Sequence, residues 1–292
     1  MFYKNSLKYR RHVLVLGCSF TSGSYTWDPD YIVYSEALQP DGTYKTIDQG
    51  LGRERMDSNG TWVRWLDSRD YYTIFALPGS GIIQHAAIVK HMDMEGTLDD
   101  IDYIIVQKTY EPRLVLSKQQ RFYDRWMENF KIEPTPEVEN IIMWRNDAKR
   151  INLMNGVANG ANLGGHFKND QYDQWLKDLY HSTTTRTAMQ SAYVYIDETC
   201  KNKNIPVYEF SFTPQPGQGR TKLDNSIKLD LPNFFAGDWA MKHMMYKKKY
   251  HVFGPIDASI SRDGEDIFTG HYTFEGNKKI GKMIRKQLEK YT

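Results

Sequence analysis

Cysteine is nearly absent from the chain, with only Cys18 and Cys200 among 292 residues. Two thiols cannot form a disulfide framework, and neither sits at a metal-ligand spacing. A disulfide-stapled scaffold and a cysteine-ligated metal centre are therefore excluded, and a reducing compartment is compatible. An excess of charge of one sign is lacking too. Lys and Arg total 38 against 36 Asp and Glu, so the formal net charge of +2 provides no global field to attract nucleic acid or an anionic membrane. Long apolar runs are also missing, and no stretch approaches the ~20 residues of a membrane span. Near the amino terminus Lys4, Lys8, Arg10 and Arg11 precede the apolar run Val13 to Leu16, which is too short for a signal-peptide core. The pattern predicts no nucleic-acid partner, no membrane segment and no signal peptide. Neither a P-loop lysine pattern nor an acidic metal cluster is evident, so no metal or cofactor is expected, and phosphoryl chemistry is the weakest reading.

What the chain does have is enough apolar residue for a full core. Hydrophobic residues make up 40% and charged residues 25%, at a length near the upper end for one domain. The expected organisation is one domain over residues 1–292, interrupted by insertions around 25–60 and 137–168. The stretch Val13-Leu14-Val15-Leu16-Gly17-Cys18-Ser19-Phe20-Thr21-Ser22-Gly23 organises the rest. Four β-branched and leucine residues predict a short buried strand, and the small residues after it supply the backbone that a sharp strand-to-helix turn requires. Ser19 would then stand at the strand's carboxyl end, where open α/β sheets bind their ligands, as a candidate nucleophile.

The same format recurs along the chain. Tyr71 to Leu77 reads as a second strand, closed by Pro78-Gly79-Ser80-Gly81 ahead of a helix from Ile82 to about Met92. The amides at that helix start, beside Gly79, suit developing negative charge. A third strand is expected over Tyr103 to Gln107, ending in the polar run Lys108-Thr109-Tyr110-Glu111-Pro112-Arg113. Leu114 to Phe130 reads as helical, a further helix is possible from 137 through Arg150, and Asp170 to Lys201 carries a long helical pattern that Thr183-Thr184-Thr185 could interrupt. A fourth strand starts at Ile205 and runs to Phe210, the format of a crossover onto a parallel sheet. The terminal helix carries Ile280, Met283, Ile284 and Leu288 on one face. Residues 25–60, which include Trp27, lack periodicity and read as a substrate-binding loop or lid.

With these blocks in order, the chain resembles the SGNH (GDSL-type) hydrolases, a family of serine esterases and acylhydrolases. Gly17-Cys18-Ser19-Phe20-Thr21 resembles the family's first block, with Cys where Asp is commonest. Leu77-Pro78-Gly79-Ser80-Gly81 resembles its second, and Asp266 to His271 with Glu275-Gly276-Asn277 resembles its last. The resemblance implies a three-layer α/β/α sandwich with a flavodoxin-like, mainly parallel sheet. It further implies Ser19 as nucleophile, His271 as general base and Asp266 as the acid behind it, with Asp263 as the other nearby carboxylate. The oxyanion would be received by the amides of Ser19 and Gly79. The family's third-block Asn has no counterpart in Gln107 to Arg113, which leaves Thr109 or Arg113 in its place, and Arg113 and Trp27 are expected to contact substrate. The implied substrate is a small-molecule or glycan ester, such as an O-acetylated carbohydrate. The alternative is a catalytically degenerate module that binds carbohydrate or serves a larger assembly. The Cys-Ser variant resembles phage-encoded members, which implies a cytoplasmic or virion-associated protein.

Overall fold

The computed structural model describes residues 8–22, 32–38, 44–50, 61–76, 80–108, 115–116, 130–134, 140–146, 154–155, 183–211, 223–232, 234, 244–247, 253–255, 267–272 and 274–291. At its centre is β1 (His12–Gly17), all six residues of which are buried. A strand with apolar side chains on both faces must be covered on both faces, and the interior position in a parallel sheet provides that. On one side β1 pairs in parallel with β4 (Tyr71–Ala76), from His12↔Tyr71 through Gly17↔Ala76. On the other it pairs with β5 (Tyr103–Lys108), from Val13↔Tyr103 to Leu16↔Val106. Beyond β5 follow β10 (Val207–Ser211) and the two-residue β11 (Ile227–Lys228), both parallel. Beyond β4 follow β8 (Ile141–Asn146), parallel, and β7 (Phe130–Pro134), antiparallel at the edge. The seven-stranded order is β11-β10-β5-β1-β4-β8-β7. The protein is thus of the α/β class with a mainly parallel sheet.

The alternation of side chains along β1 divides the core. Leu14 and Leu16, with Phe75, Ile104 and Val106, face α2 (Ile82–Met94) and α3 (Thr183–Asn202), which contribute Ile88, Val89, Met92, Met189, Tyr193 and Ile196. Val13 and Val15, with Ile74 and Ile105, face the 3₁₀ turn Trp62–Trp65 and α4 (Phe274–Leu288), which contribute Trp62, Val63, Ile280, Ile284 and Leu288. The period-2 pattern of the strand and the apolar stripes of the helices therefore meet as expected.

The amino edge of the sheet is clamped by charge. Asp70 is fully buried and accepts from Arg10 Nε at 3.1 Å and Arg11 Nη2 at 2.6 Å, which ties the start of β1 to the start of β4. A buried carboxylate with two guanidinium partners avoids the penalty of an unpaired charge. Asp102 Oδ2 accepts from His12 N at 2.6 Å and fixes the entry of β5 in the same way.

Several expectations need correction. The 25–60 insertion is not structureless, because β2 (Ile32–Leu38) and β3 (Tyr44–Gly50) form an antiparallel hairpin registered from Ile32↔Gly50 to Leu38↔Tyr44. The possible helix from 137 through Arg150 is replaced at Ile141–Asn146 by a strand of the main sheet, where its Ile-Ile-Met-Trp run gains parallel pairing with β4; apart from Asn140, Met154 and Asn155 the rest of the 137–168 insertion lies outside the described residues. The expected helix from Leu114 to Phe130 gives way at both ends. Val115–Leu116 forms β6, paired antiparallel with β9 (Met154–Asn155), and Phe130 opens β7. The Thr183-Thr184-Thr185 run is itself helical within α3, and residues 170–182 of the expected helix lie outside the described residues. A separate antiparallel sheet orders β13 (Phe253–Pro255), β12 (Met244–Lys247) and β14 (Ile267–Tyr272).

Candidate active site

β1 ends at Gly17, and α1 (Ser19–Ser22) starts two residues later. Chain order moves from β1 to β4 on one side and then to β5 on the other, so the crevice between the carboxyl ends of β1 and β5 is the topological switch point of the sheet. Ser19 is the first residue of α1, at that crevice. His271 lies in β14, one residue before Tyr272. The two elements pack together: the rings of Phe20 and Tyr272, each the chain neighbour of a predicted site residue, have centroids 5.7 Å apart. Phe234 closes on Tyr272 from another side at 6.3 Å. The backbones carrying Ser19 and His271 are thereby brought together, while their own side chains lie outside the described residues. So do Asp266, Gly79, Thr109, Arg113 and Trp27.

The turn between β1 and α1 is held from all sides. Cys18 O accepts from the amides of Thr21 at 2.9 Å and Ser22 at 3.0 Å, which closes the first turn of α1. Gly17 O accepts from the Ser80 hydroxyl and approaches His85 Nε2 at 3.1 Å, so residues at the start of α2 brace the strand end. Gly81 N in turn donates to Gln84 Oε1 at 3.0 Å, which satisfies a helix-start amide. Gly17 has no room for a side chain: a Cβ there would overlap Thr21 Oγ1 and stand 2.9 Å from Gln107 Oε1. The glycine in the first block is thus required by close approach. Ser80 lies in the segment that resembles the second block, and its seat on Gly17 O gives it a structural role. His85, which has no partner pattern in the sequence, is a buried structural residue of the same brace.

Gln107, at the end of β5, was not singled out by the sequence. Its side chain is buried and crosses the switch point. Oε1 accepts from Cys18 N at 3.1 Å and from the Thr21 hydroxyl at 2.7 Å. The Thr21 oxygen itself accepts from Trp62 Nε1 at 3.2 Å, and the Thr61 hydroxyl donates to Thr21 O at 2.5 Å. On the opposite face of the sheet, Lys108 Nζ stands 3.6 Å from Glu209 Oε2 and 5.3 Å from the centroid of the Tyr193 ring. Both charged side chains are only 7% exposed. The one signal for this pair in the sequence is a Lys that ends one largely apolar strand and a Glu in the middle of another.

Among the described residues no group of three His, Cys, Asp or Glu side chains is arranged to hold a metal, and no helix is long and apolar enough to cross a membrane. The described fold and site define an α/β protein with a polar, hydrogen-bonded turn at the switch point of its parallel sheet. Beyond that class, no protein-family model matches the chain, and no curated protein matches it.

Proposed function

We propose that the protein is a serine hydrolase of the SGNH type, built on a three-layer α/β/α flavodoxin-like sandwich, that cleaves acyl esters through an acyl-serine intermediate. The observation that carries this reading is the docking of α1 on β14 at the sheet's switch point, through Phe20 and Tyr272. It supports a site assembled from one residue after the first strand and one residue before the last helix, the arrangement that a nucleophile and its base require.

Ser19 is the nucleophile in this proposal. A serine hydroxyl attacks poorly at neutral pH, so His271 takes its proton during attack and returns it to the leaving alcohol, after which water repeats the cycle on the acyl-enzyme. Asp266 orients the imidazole and stabilises its cation. The amides of Ser19 and Gly79 receive the oxyanion, with Thr109 as a third donor, each such donor contributing about 3 to 4 kcal/mol to the transition state. Arg113 and Trp27 contact the substrate, which is an O-acylated small molecule or glycan. The bracing of Gly17 by Ser80 and His85 favours a fixed turn, the condition under which such donors act without reorganisation.

The test is labelling with a fluorophosphonate and turnover of simple acetyl esters by the wild-type protein and by Ser19→Ala. The expected result is covalent labelling of Ser19 and a loss of turnover of at least about a thousandfold in the variant. Unchanged turnover by Ser19→Ala removes the assignment. No labelling of the wild type, together with glycan binding, replaces it with the non-catalytic binding module.

A further inference from the structure

We infer that Gln107 is a positioning residue for the nucleophile: it fixes the β1–α1 turn from behind, across the switch point, and so sets the direction in which Ser19 is presented. The inference rests on the hydrolase reading for its catalytic consequence and on geometry alone for its structural part.

Leu16↔Val106 is the last registered pair of β1 and β5. One residue further, Gly17 and Gln107 lie side by side, and the missing side chain of Gly17 leaves the space through which Gln107 reaches the turn. The orientation of its amide is dictated by its partners. Cys18 N can only donate, so the group facing it must be the oxygen. That oxygen then receives Cys18 N at 3.1 Å and the Thr21 hydroxyl at 2.7 Å, which bracket Ser19 on both sides in the chain, with the Cys18 thiol at 3.4 Å as a weaker third donor. The amide nitrogen faces Cys18 Sγ and Lys108 O, each at 3.4 Å. Thr21 cannot swing away, because its oxygen is held by Trp62 Nε1 and its carbonyl by the Thr61 hydroxyl. Gln107 is 1% exposed, so no water replaces these bonds when the acceptor is removed. An aliphatic side chain at 107 leaves Cys18 N buried without its acceptor, and the turn must shift to find another.

This differs from the role that the resemblance assigns to the missing third-block Asn. An oxyanion donor acts on the substrate, whereas Gln107 acts on the backbone that carries the nucleophile. The two are separable by experiment.

The experiment compares wild type, Gln107→Met and Gln107→Glu by three readouts: the fluorophosphonate labelling rate, kcat and KM on an acetyl ester, and amide hydrogen exchange in the segment 17–22. Gln107→Met is expected to slow labelling and lower kcat by about ten- to a hundredfold with KM little changed, as a misdirected nucleophile does. Exchange in 17–22 rises at least about tenfold while strands β4 and β10 keep their protection. Gln107→Glu, which retains an acceptor at the same reach, restores labelling to within severalfold of wild type, an outcome that a general packing defect would not give. Labelling and exchange unchanged in Gln107→Met overturn the inference. A wild type that is not labelled at all overturns the hydrolase reading instead, and exchange in 17–22 then decides the turn role alone. If Gln107→Met does not fold, Thr21→Val removes the hydroxyl donor to Gln107 and must show the same exchange increase.

Discussion

Gly17 is the residue at which sequence and geometry meet most tightly. Ala at this position places a methyl group into Thr21 Oγ1 and against Gln107 Oε1. Both neighbours are buried and bonded, so neither side chain can rotate away without breaking the network that holds α1. Gly17→Ala is expected to cost about 1 to 3 kcal/mol, the usual range for overpacking, read as a lower urea midpoint at unchanged m-value. A midpoint within error of wild type shows that the turn is looser than its hydrogen bonds imply. A glycine at this turn was legible in the sequence as the residue that ends the apolar run, but its reason was not: the sequence suggests a permissive backbone, whereas the structure requires the absence of a Cβ beside Thr21 and Gln107. The role of Gln107 was not legible. A polar residue at a strand end is ordinary, and only the register of β5 on β1, set by residues far along the chain, puts it beside Cys18.

At the scale of elements, the site depends on α1 remaining docked on β14. α1 is four residues long, too short to persist alone, so its position must come from tertiary contacts. Phe20 is 7% exposed and Tyr272 1%, and their tilted rings form the described contact between the two elements. A double-mutant cycle with Phe20→Leu and Tyr272→Leu is expected to give a coupling energy of about 0.5 to 1.5 kcal/mol by urea denaturation. Additive effects of the two substitutions mean that the rings do not hold α1 to β14. The elements themselves were unequally legible. β1, β4, β5, α2 and β10 were readable because each is a continuous apolar run or periodic segment bounded by turn residues. β8 was not, since Ile141-Ile142-Met143-Trp144 is a short apolar run whose period cannot distinguish strand from helix. The β2–β3 hairpin escaped for a different reason: strands such as Tyr44–Gly50 carry mostly polar residues, and their pairing rather than their pattern defines them.

For the whole molecule, the sheet has two poles with different chemistry. Its carboxyl edge carries the hydroxyl and amide network around Ser19, and its amino edge carries ionisable groups whose burial makes stability depend on pH. His12 opens β1 at that amino edge, is 5% exposed, and places Nε2 2.7 Å from Thr73 Oγ1. Burial lowers its pKa below the ordinary 6.5, an effect that the nearby carboxylates of Asp100 and Asp102 offset only in part. Below pH 6.5 the unfolded chain therefore binds a proton that the folded chain still refuses, and stability falls as pH drops from 6.5 toward the lower native value. Asp67 does not contribute in that window, because its hydrogen bonds with Arg69 hold its carboxyl well below the usual range and it stays ionised. Urea midpoints measured at pH 7.5 and at pH 5.5 are expected to drop more for wild type than for His12→Gln. The Gln side chain can still bond the Thr73 hydroxyl but has no proton to gain. The remaining histidines are common to both proteins and cancel in the comparison, so the difference in slope belongs to position 12. Parallel slopes would mean that the folded protein protonates His12 as readily as the unfolded chain does, and that the buried start of β1 admits a charge that its surroundings should exclude.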